Sequence, residues 1–411
     1  MNFIPVNEPK IFGNELKYVK ECIDTNWISS GGKFLEKFES DWASYCGQKY
    51  GIGVCNGTQA LEMAVKVCNF PKGSEIILPS FTIISCAQAI VNNGCVPVLV
   101  DCDPETFCID IDQVEPKITD RTAAIMPVHI YGHPCDMDPI IDIADRYGLI
   151  IIEDAAEVHG GEYLSNKAPL GNKEGLKIVS RNNKPAYWRK CGSFGHISCF
   201  SFYANKNITT GEGGMLLTSD DVFLERLKSN RNLCFLKEPR FLHYDIGYNA
   251  RMTNLQAAIG AAQFENLKTV LDRKIDMAKR YTEALKDLPL QLPIEREWAK
   301  NVIWMYSVLL KDTNDSKDFF SDDWERSSVE EYASWPSYKV MSALLKKGIQ
   351  ARPFFIGMHE QPVLLKKGYF KNETYPVTEK IARSGFYLPS GQAISDVQID
   401  KVSSTIRGVF Q

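Results

Sequence analysis

From residue 74 to residue 218 the chain alternates short apolar, β-rich runs with amphipathic stretches, and this rhythm limits the available folds more than any other feature. Strand-like runs separated by helical ones argue for an α/β fold, a sheet covered by helices on both faces. The spacing predicts strands over 50–54, 75–78, 97–100, 123–127, 149–153, 197–202 and 215–217, and helices over 58–68, 84–92 and 138–147. Beyond Arg251 the pattern changes. A helical stretch over 253–285 leads to a β-rich run at 302–310, a helix at 337–346 and the irregular aromatic segment ARPFFIGMHEQP. That change predicts a large domain over 1–260 and a smaller C-terminal α+β domain over 261–411. Residues 162–186, rich in Lys, Asn and Gly, and residues 312–335, dense in Asp, Ser and Glu, read as mobile surface insertions with few apolar groups to offset the entropy of ordering.

Composition narrows the class. The chain has 411 residues, is 44% hydrophobic and 24% charged, and carries a net charge of -4, which points away from nucleic acid as the main partner. No apolar run approaches the roughly 20 residues that span a bilayer. The N-terminus lacks the basic start and apolar stretch of a secretory signal, so a cytoplasmic location is expected and no membrane partner. The 12 cysteines lie mostly in apolar runs without C-x-x-C spacing, and read as buried small hydrophobes rather than disulfides or a metal site. Cys102 and Cys108, in DCDPETFCID, are the pair least well explained that way.

Candidate chemistry centres on CFSFYANKNITTGEGGM at 199–215. A strand-like run precedes Lys206, and a Gly-rich turn then leads into a second apolar run, so this lysine rides a loop between two core strands. Desolvation lowers the pKa of a lysine, and one that traps a carbonyl needs its neutral amine populated near neutral pH. Asp154 ends the run at 149–153, at the C-terminal end of a buried strand, where α/β proteins keep ligands; capping the next helix is its plainer role. Asn56-Gly57-Thr58 follow the first strand and open a helix, which is an anion site by geometry. Ser201 adds a hydroxyl. An anion cradle at Gly57 and Thr58, a phosphate hydroxyl at Ser201, a carboxylate for a ring nitrogen at Asp154 and an amine for an aldehyde at Lys206 together describe pyridoxal 5'-phosphate, whose chemistry is an electron sink.

Ordered motifs run along nearly the whole chain: WISSGGKFLEKFE at 27–39, CNGTQAL at 55–61, LPSFT at 78–82, PVHIYGHPCDMDPI at 127–140, IIEDAAEVHG at 151–160, SFYANK at 201–206, GYNARMTNLQAAIG at 247–260, MHEQPV at 358–363 and YLPSG at 387–391. On these the chain resembles the sugar aminotransferases of the DegT, DnrJ, EryC and StrS type, within the fold type I pyridoxal-phosphate enzymes. The resemblance implies a large, mostly parallel mixed sheet sandwiched by helices, with a smaller C-terminal domain. It implies that Lys206 is the Schiff-base lysine, Asp154 the ring-nitrogen carboxylate, and Ser201 and Thr58 phosphate ligands. It further implies that Asn249 reaches the phosphate of a neighbouring subunit, hence a homodimer with both sites at the interface. The reaction it implies moves an amino group from glutamate, leaving 2-oxoglutarate, to C4 of a nucleotide-linked 4-keto-6-deoxy sugar; the wording of DCDPETFCID and RPFFIGMHEQPV looks most like the branch that acts on the GDP-4-keto-6-deoxymannose sugar.

Two positions depart from the family pattern. Glu157 stands beside the cofactor site where many relatives have Gln, and Ile83 stands where relatives often place an aromatic over the ring, so that either Ile83 or Phe81 faces it. The related 3-dehydratases replace the lysine by histidine, and Lys206 argues against that activity; a non-catalytic sugar-nucleotide sensor has no need of the intact set. Substrate candidates are Ser29 and Ser30 in a Gly-containing loop, Tyr131 and His133 flanking a glycine, and Arg352 and His359 from the C-terminal part. Each has a plainer alternative: turn chemistry, a hydrogen-bonded structural histidine, or a surface ion pair.

Overall fold

The computed structural model describes residues 3–168, 178–311 and 334–410. Its centre is a seven-stranded sheet built from β1 (Tyr50–Val54), β2 (Glu75–Pro79), β3 (Val96–Val100), β4 (Thr122–Ile125), β5 (Ile150–Asp154) and two later strands, β9 (Ile197–Ser201) and β10 (Gly214–Thr218). The order is β1-β10-β9-β5-β4-β2-β3. Pairing is parallel from β9 through β5, β4 and β2 to β3, and antiparallel for β10 with β9 and β1, so the sheet is mixed but mostly parallel. Central strands such as β2 and β10 are buried at every position, which explains their unbroken apolar runs.

Helices cover both faces. The two-residue period of β9 and β10 sends Cys199 and Leu216 into one core with α3 (Gly57–Val67), α4 (Ile84–Asn92) and α5 (Met137–Tyr147), and sends Phe200, Met215 and Leu217 into a second core with α2 (Lys33–Cys46). Helix α1 (Glu15–Asp24) packs on α7 (Asn254–Glu265) beside α2, and α6 (Asp221–Arg231) packs on α3. A third core gathers Met277, Tyr281 and Leu285 of α8 (Leu267–Leu285) with Val308, Phe386 and Leu388. These last belong to a four-stranded antiparallel sheet in the order β11-β13-β15-β14, formed by β11 (Leu290–Gln291), β13 (Tyr306–Leu310), β14 (Arg352–Pro353) and β15 (Gly385–Leu388). Among the described residues no helix is long and apolar enough to cross a membrane.

Two expectations are corrected. The helix expected over 253–285 is two helices, because Asn266 leaves helical geometry with ψ near 8° while its side-chain Nδ2 donates to the Ala262 carbonyl at 3.1 Å. The segment 162–186 is not a loose excursion at its ends: β6 (Glu162–Ser165), β7 (Ile178–Arg181) and β8 (Lys184–Lys190) join β12 (Ala299–Lys300) in a sheet ordered β12-β6-β8-β7. Composition hid this sheet, since Tyr163 and Leu164 are buried and the Arg181 guanidinium lies 5.1 Å from the Tyr163 ring, so a long cation covers the apolar face. Residues 169–177 of that segment and 312–333 of the second expected insertion lie outside the described residues. All 12 cysteines are free, ten of them buried and none exposed; Cys102 Sγ lies 3.5 Å from Thr378 Oγ1, and Cys108 donates to the His133 carbonyl.

Candidate active site

Strands β5 and β9 run parallel side by side and end together, which brings Asp154 and Ser201 to one edge of the sheet. The β9–β10 connection then carries Lys206 back over that edge. Asp154 is fixed by its own backbone, whose N–H donates to the Pro127 carbonyl at 2.9 Å and whose carbonyl accepts from His129 N–H at 3.1 Å. One residue earlier on the strand, Glu153 points to the other face. It accepts N–H groups from Gly192, Phe194 and Gly195, the Ser198 hydroxyl, and Nε2–H of His129, whose Nδ1 accepts from Cys135 N–H. His129, Glu153 and Cys191 bring ligand-type atoms close together, but both histidine nitrogens and both carboxylate oxygens are already engaged, so the trio is a buried strap that holds the end of β5.

Lys206 is held from outside the sheet. The Asn205 carbonyl accepts from Trp304 Nε1 at 2.8 Å and from Asn7 Nδ2 at 3.2 Å, and the Asn207 carbonyl accepts from Gln392 Nε2. Both neighbours of the lysine are therefore tied to distant parts of the chain. Its ammonium nitrogen lies 3.5 Å from the Trp304 ring centre and 3.7 Å from Glu157 Oε1, an ion-pair separation too long for a hydrogen bond. Burial is the main cause that lowers the Lys206 amine, with Glu157 and Asp154 opposing it. Burial likewise raises the Glu157 carboxyl to about 7 and raises Asp154 above its ordinary value. The other Glu157 oxygen accepts from Tyr131 N–H at 2.8 Å, so Glu157 connects the lysine loop to the 130–132 turn.

At the far end, Asn56 caps α3 by accepting from Gln59 N–H, leaving the first turn's remaining N–H groups directed past Gly57 and Thr58. Gly57 has to be glycine here: a Cβ would stand 2.7 Å from Ser201 Cβ and 3.2 Å from its Oγ. This close approach makes a cradle of helix N–H groups, the Thr58 hydroxyl and the Ser201 hydroxyl. The residues fit pyridoxal phosphate on these observations: a cradle that a side chain would fill, a buried carboxylate with no cation in hydrogen-bond contact among the described residues, and a buried amine free of hydrogen bonds to either carboxylate.

The remaining candidates are distributed unevenly. Tyr131 is buried beside the site, with φ at 52°, its hydroxyl unpartnered, and its ring stacked on Phe355 at 5.7 Å. Phe81 is buried among Phe107, Tyr131 and Phe354, so of the two residues weighed to face the ring, exposed Ile83 is the open one. His133 and His359 are not brought to the site as free groups: the first engages the Pro134 carbonyl and Arg296 N–H, the second Ser80 Oγ and Glu379. Ser29 and Ser30 are exposed ahead of α2, with the Ser29 carbonyl accepting from Asn254 N–H. Arg352 is exposed on β14, and exposed Asn249 accepts from Arg251 at 2.5 Å. Sequence reasoning missed Trp304, whose only signal was the strand-like run around it.

This fold and site define a pyridoxal-phosphate aminotransferase. The chain belongs to the DegT/DnrJ/EryC1/StrS aminotransferase family, whose model matches residues 9–407. It is 36% identical to a GDP-perosamine synthase of Caulobacter vibrioides over 99% of this chain and 98% of that one, and 33% identical to a GDP-perosamine synthase of Vibrio cholerae over 99% of each. Among solved structures, DesV of S. venezuelae superposes with a TM-score of 0.79 at 28% identity, over 97% of this chain and 94% of that one.

Proposed function

We propose that this sugar aminotransferase moves an amino group from glutamate to C4 of GDP-4-keto-6-deoxy-D-mannose, giving GDP-perosamine and 2-oxoglutarate in the cytoplasm. The observation that carries the substrate is the end-to-end similarity to relatives named GDP-perosamine synthase. When bound, pyridoxal phosphate supplies the electron sink for the transfer. Lys206 would hold the cofactor through its amine and would take up and return a proton at Nζ, which its buried position beside Glu157 suits. Asp154 balances the charge of the ring nitrogen, and each charge offsets the other's burial. The α3 N-terminus with Gly57, Thr58 and Ser201 would hold the phosphate, and Glu157, 3.7 Å from the lysine, faces its charge. Trp304 keeps water from the face of Lys206.

A homodimer belongs to the same proposal. The stretch before Asn249 presents Phe241, Tyr244 and Ile246, each more than 80% exposed, and an apolar surface of that kind is stable when a second copy covers it. Sedimentation is expected to give twice the chain mass, and Phe241→Ser with Tyr244→Ser to give monomers; a wild-type monomer at micromolar concentration would remove the shared site. The substrate test is turnover of GDP-, UDP- and dTDP-linked 4-keto-6-deoxy sugars with glutamate. The GDP sugar is expected to be preferred by on the order of tenfold or more, the factor that one base-specific contact of about 1.4 kcal/mol provides. Equal rates on all three would discard the GDP assignment and keep the sugar aminotransferase.

A further inference from the structure

The first turn of α4 reaches both ends of this site. Ser85 and Cys86 are adjacent, and side chains of neighbouring helical residues diverge by about 100°, so one turn serves two partners. Ser85 Oγ lies 2.9 Å from Thr58 Oγ1. Cys86, wholly buried, donates its S–H to Asp154 Oδ2 at 3.2 Å. Behind it, buried Thr82 Oγ1 lies 3.4 Å from the Cys86 sulfur, and because the single thiol proton is committed to the carboxylate, the Thr82 hydroxyl donates to sulfur. The other Asp154 oxygen accepts from Ala156 N–H at 3.0 Å. Each carboxylate oxygen thus has one donor within the protein, and the plane of the carboxylate is set before anything binds. Burial pushes the Cys86 thiol well above its ordinary range, so it remains a donor.

We propose that the Ser85–Cys86 pair is a positioning device for the cofactor, with Cys86 orienting the Asp154 carboxylate toward the ring nitrogen and Ser85 orienting the Thr58 hydroxyl toward the phosphate. The proposal rests on the cofactor reading above. Neither residue takes part in proton transfer; each acts through a side chain that touches the cofactor. The charged and titratable groups that act on Asp154 besides Cys86 include Lys206, Glu157, His129 and, on the neighbouring strand, Cys199, none of which the substitutions below remove.

The test compares wild-type holoenzyme with Cys86→Ala, Cys86→Ser and Ser85→Ala in two measurements, the dissociation constant of pyridoxal phosphate and the absorbance of the bound chromophore against pH. Cys86→Ala is expected to weaken cofactor binding about tenfold, as loss of one hydrogen bond to a charged group does, and to shift the pH midpoint of the visible band. Cys86→Ser, which keeps a donor, is expected to recover most of both. Ser85→Ala is expected to weaken binding roughly threefold to tenfold at an unchanged midpoint, since it acts on the phosphate end. If Cys86→Ala does not fold, Thr82→Val is read instead, with a shifted midpoint expected. An unshifted midpoint in the variant read, or Cys86→Ser no better than Cys86→Ala, overturns the proposal. A wild-type protein with no borohydride-sensitive band overturns the cofactor reading, and this proposal with it; a normal band with insensitive variants overturns this proposal alone.

Discussion

Lys206→Ala protein is expected to keep its thermal unfolding within a few degrees of wild type while glutamate-dependent transamination falls by on the order of 10²–10⁴-fold, the range spanned by a positioned proton-transfer group. Among the described residues the amine is the one cation whose position reaches both Glu157 and Asp154, at 3.7 Å from the first and acting on the second through charge. Stability changes little because the lost ammonium was itself desolvated. The Glu157 carboxyl left behind, already raised to about 7 by burial, takes up a proton rather than remain an unpaired charge. The purified variant is expected to lack the absorption band that borohydride shifts in wild type. Product formation at the wild-type rate without added amine would end the assignment of Lys206.

The second large effect concerns stability. Lys274 of α8 is wholly buried and donates to the carbonyls of Trp304 at 2.8 Å and Ser390 at 2.5 Å, tying the long helix to the tryptophan that covers Lys206. Burial lowers its amine to about 7. The folded-state value lies below the unfolded one, so the unfolded chain binds an extra proton between them and wild-type stability rises with pH from about 7 to about 10. That window is worth on the order of 4 kcal/mol. Lys274→Met removes the titrating group and leaves two buried carbonyls without their donor, at about 1–3 kcal/mol each. The two proteins are therefore expected to be close in stability near pH 7 and to diverge as pH rises, wild type becoming the more stable. Urea unfolding of both at pH 7 and pH 10 measures this, and parallel profiles would show that the lysine is not depressed in the folded state.

Much of the candidate site was legible before any fold was known, because the residues proposed for it are local in the chain. Asp154 closes an apolar run, Gly57 and Thr58 open a helix, and Ser201 and Lys206 share one strand and its following loop. Such signals depend on periods of a few residues, which survive in one dimension. The same reasoning failed where polar residues conceal order. The segment 162–186 is rich in Lys, Asn and Gly, yet its strand β6 pairs with Ala299–Lys300 from a later part of the chain, and β8 pairs with β6 and β7. It could not decide between the two roles weighed for His133 and His359, since a histidine near a motif and a histidine bonded through both nitrogens look alike in sequence.

By itself the chain determined the α/β class, the seven strands of the central sheet to within about two residues, and the residue types that make up the candidate site. Tertiary structure alone decided what surrounds them. Trp304, Asn7 and Gln392 grip the loop of Lys206 from sequence distances of 98, 199 and 186 residues, and Cys86 meets Asp154 across 68. Burial, which sets the protonation of Lys206 and Glu157, is a property of all these contacts at once. No short window of sequence contains it, because desolvation depends on every group that displaces water from the site.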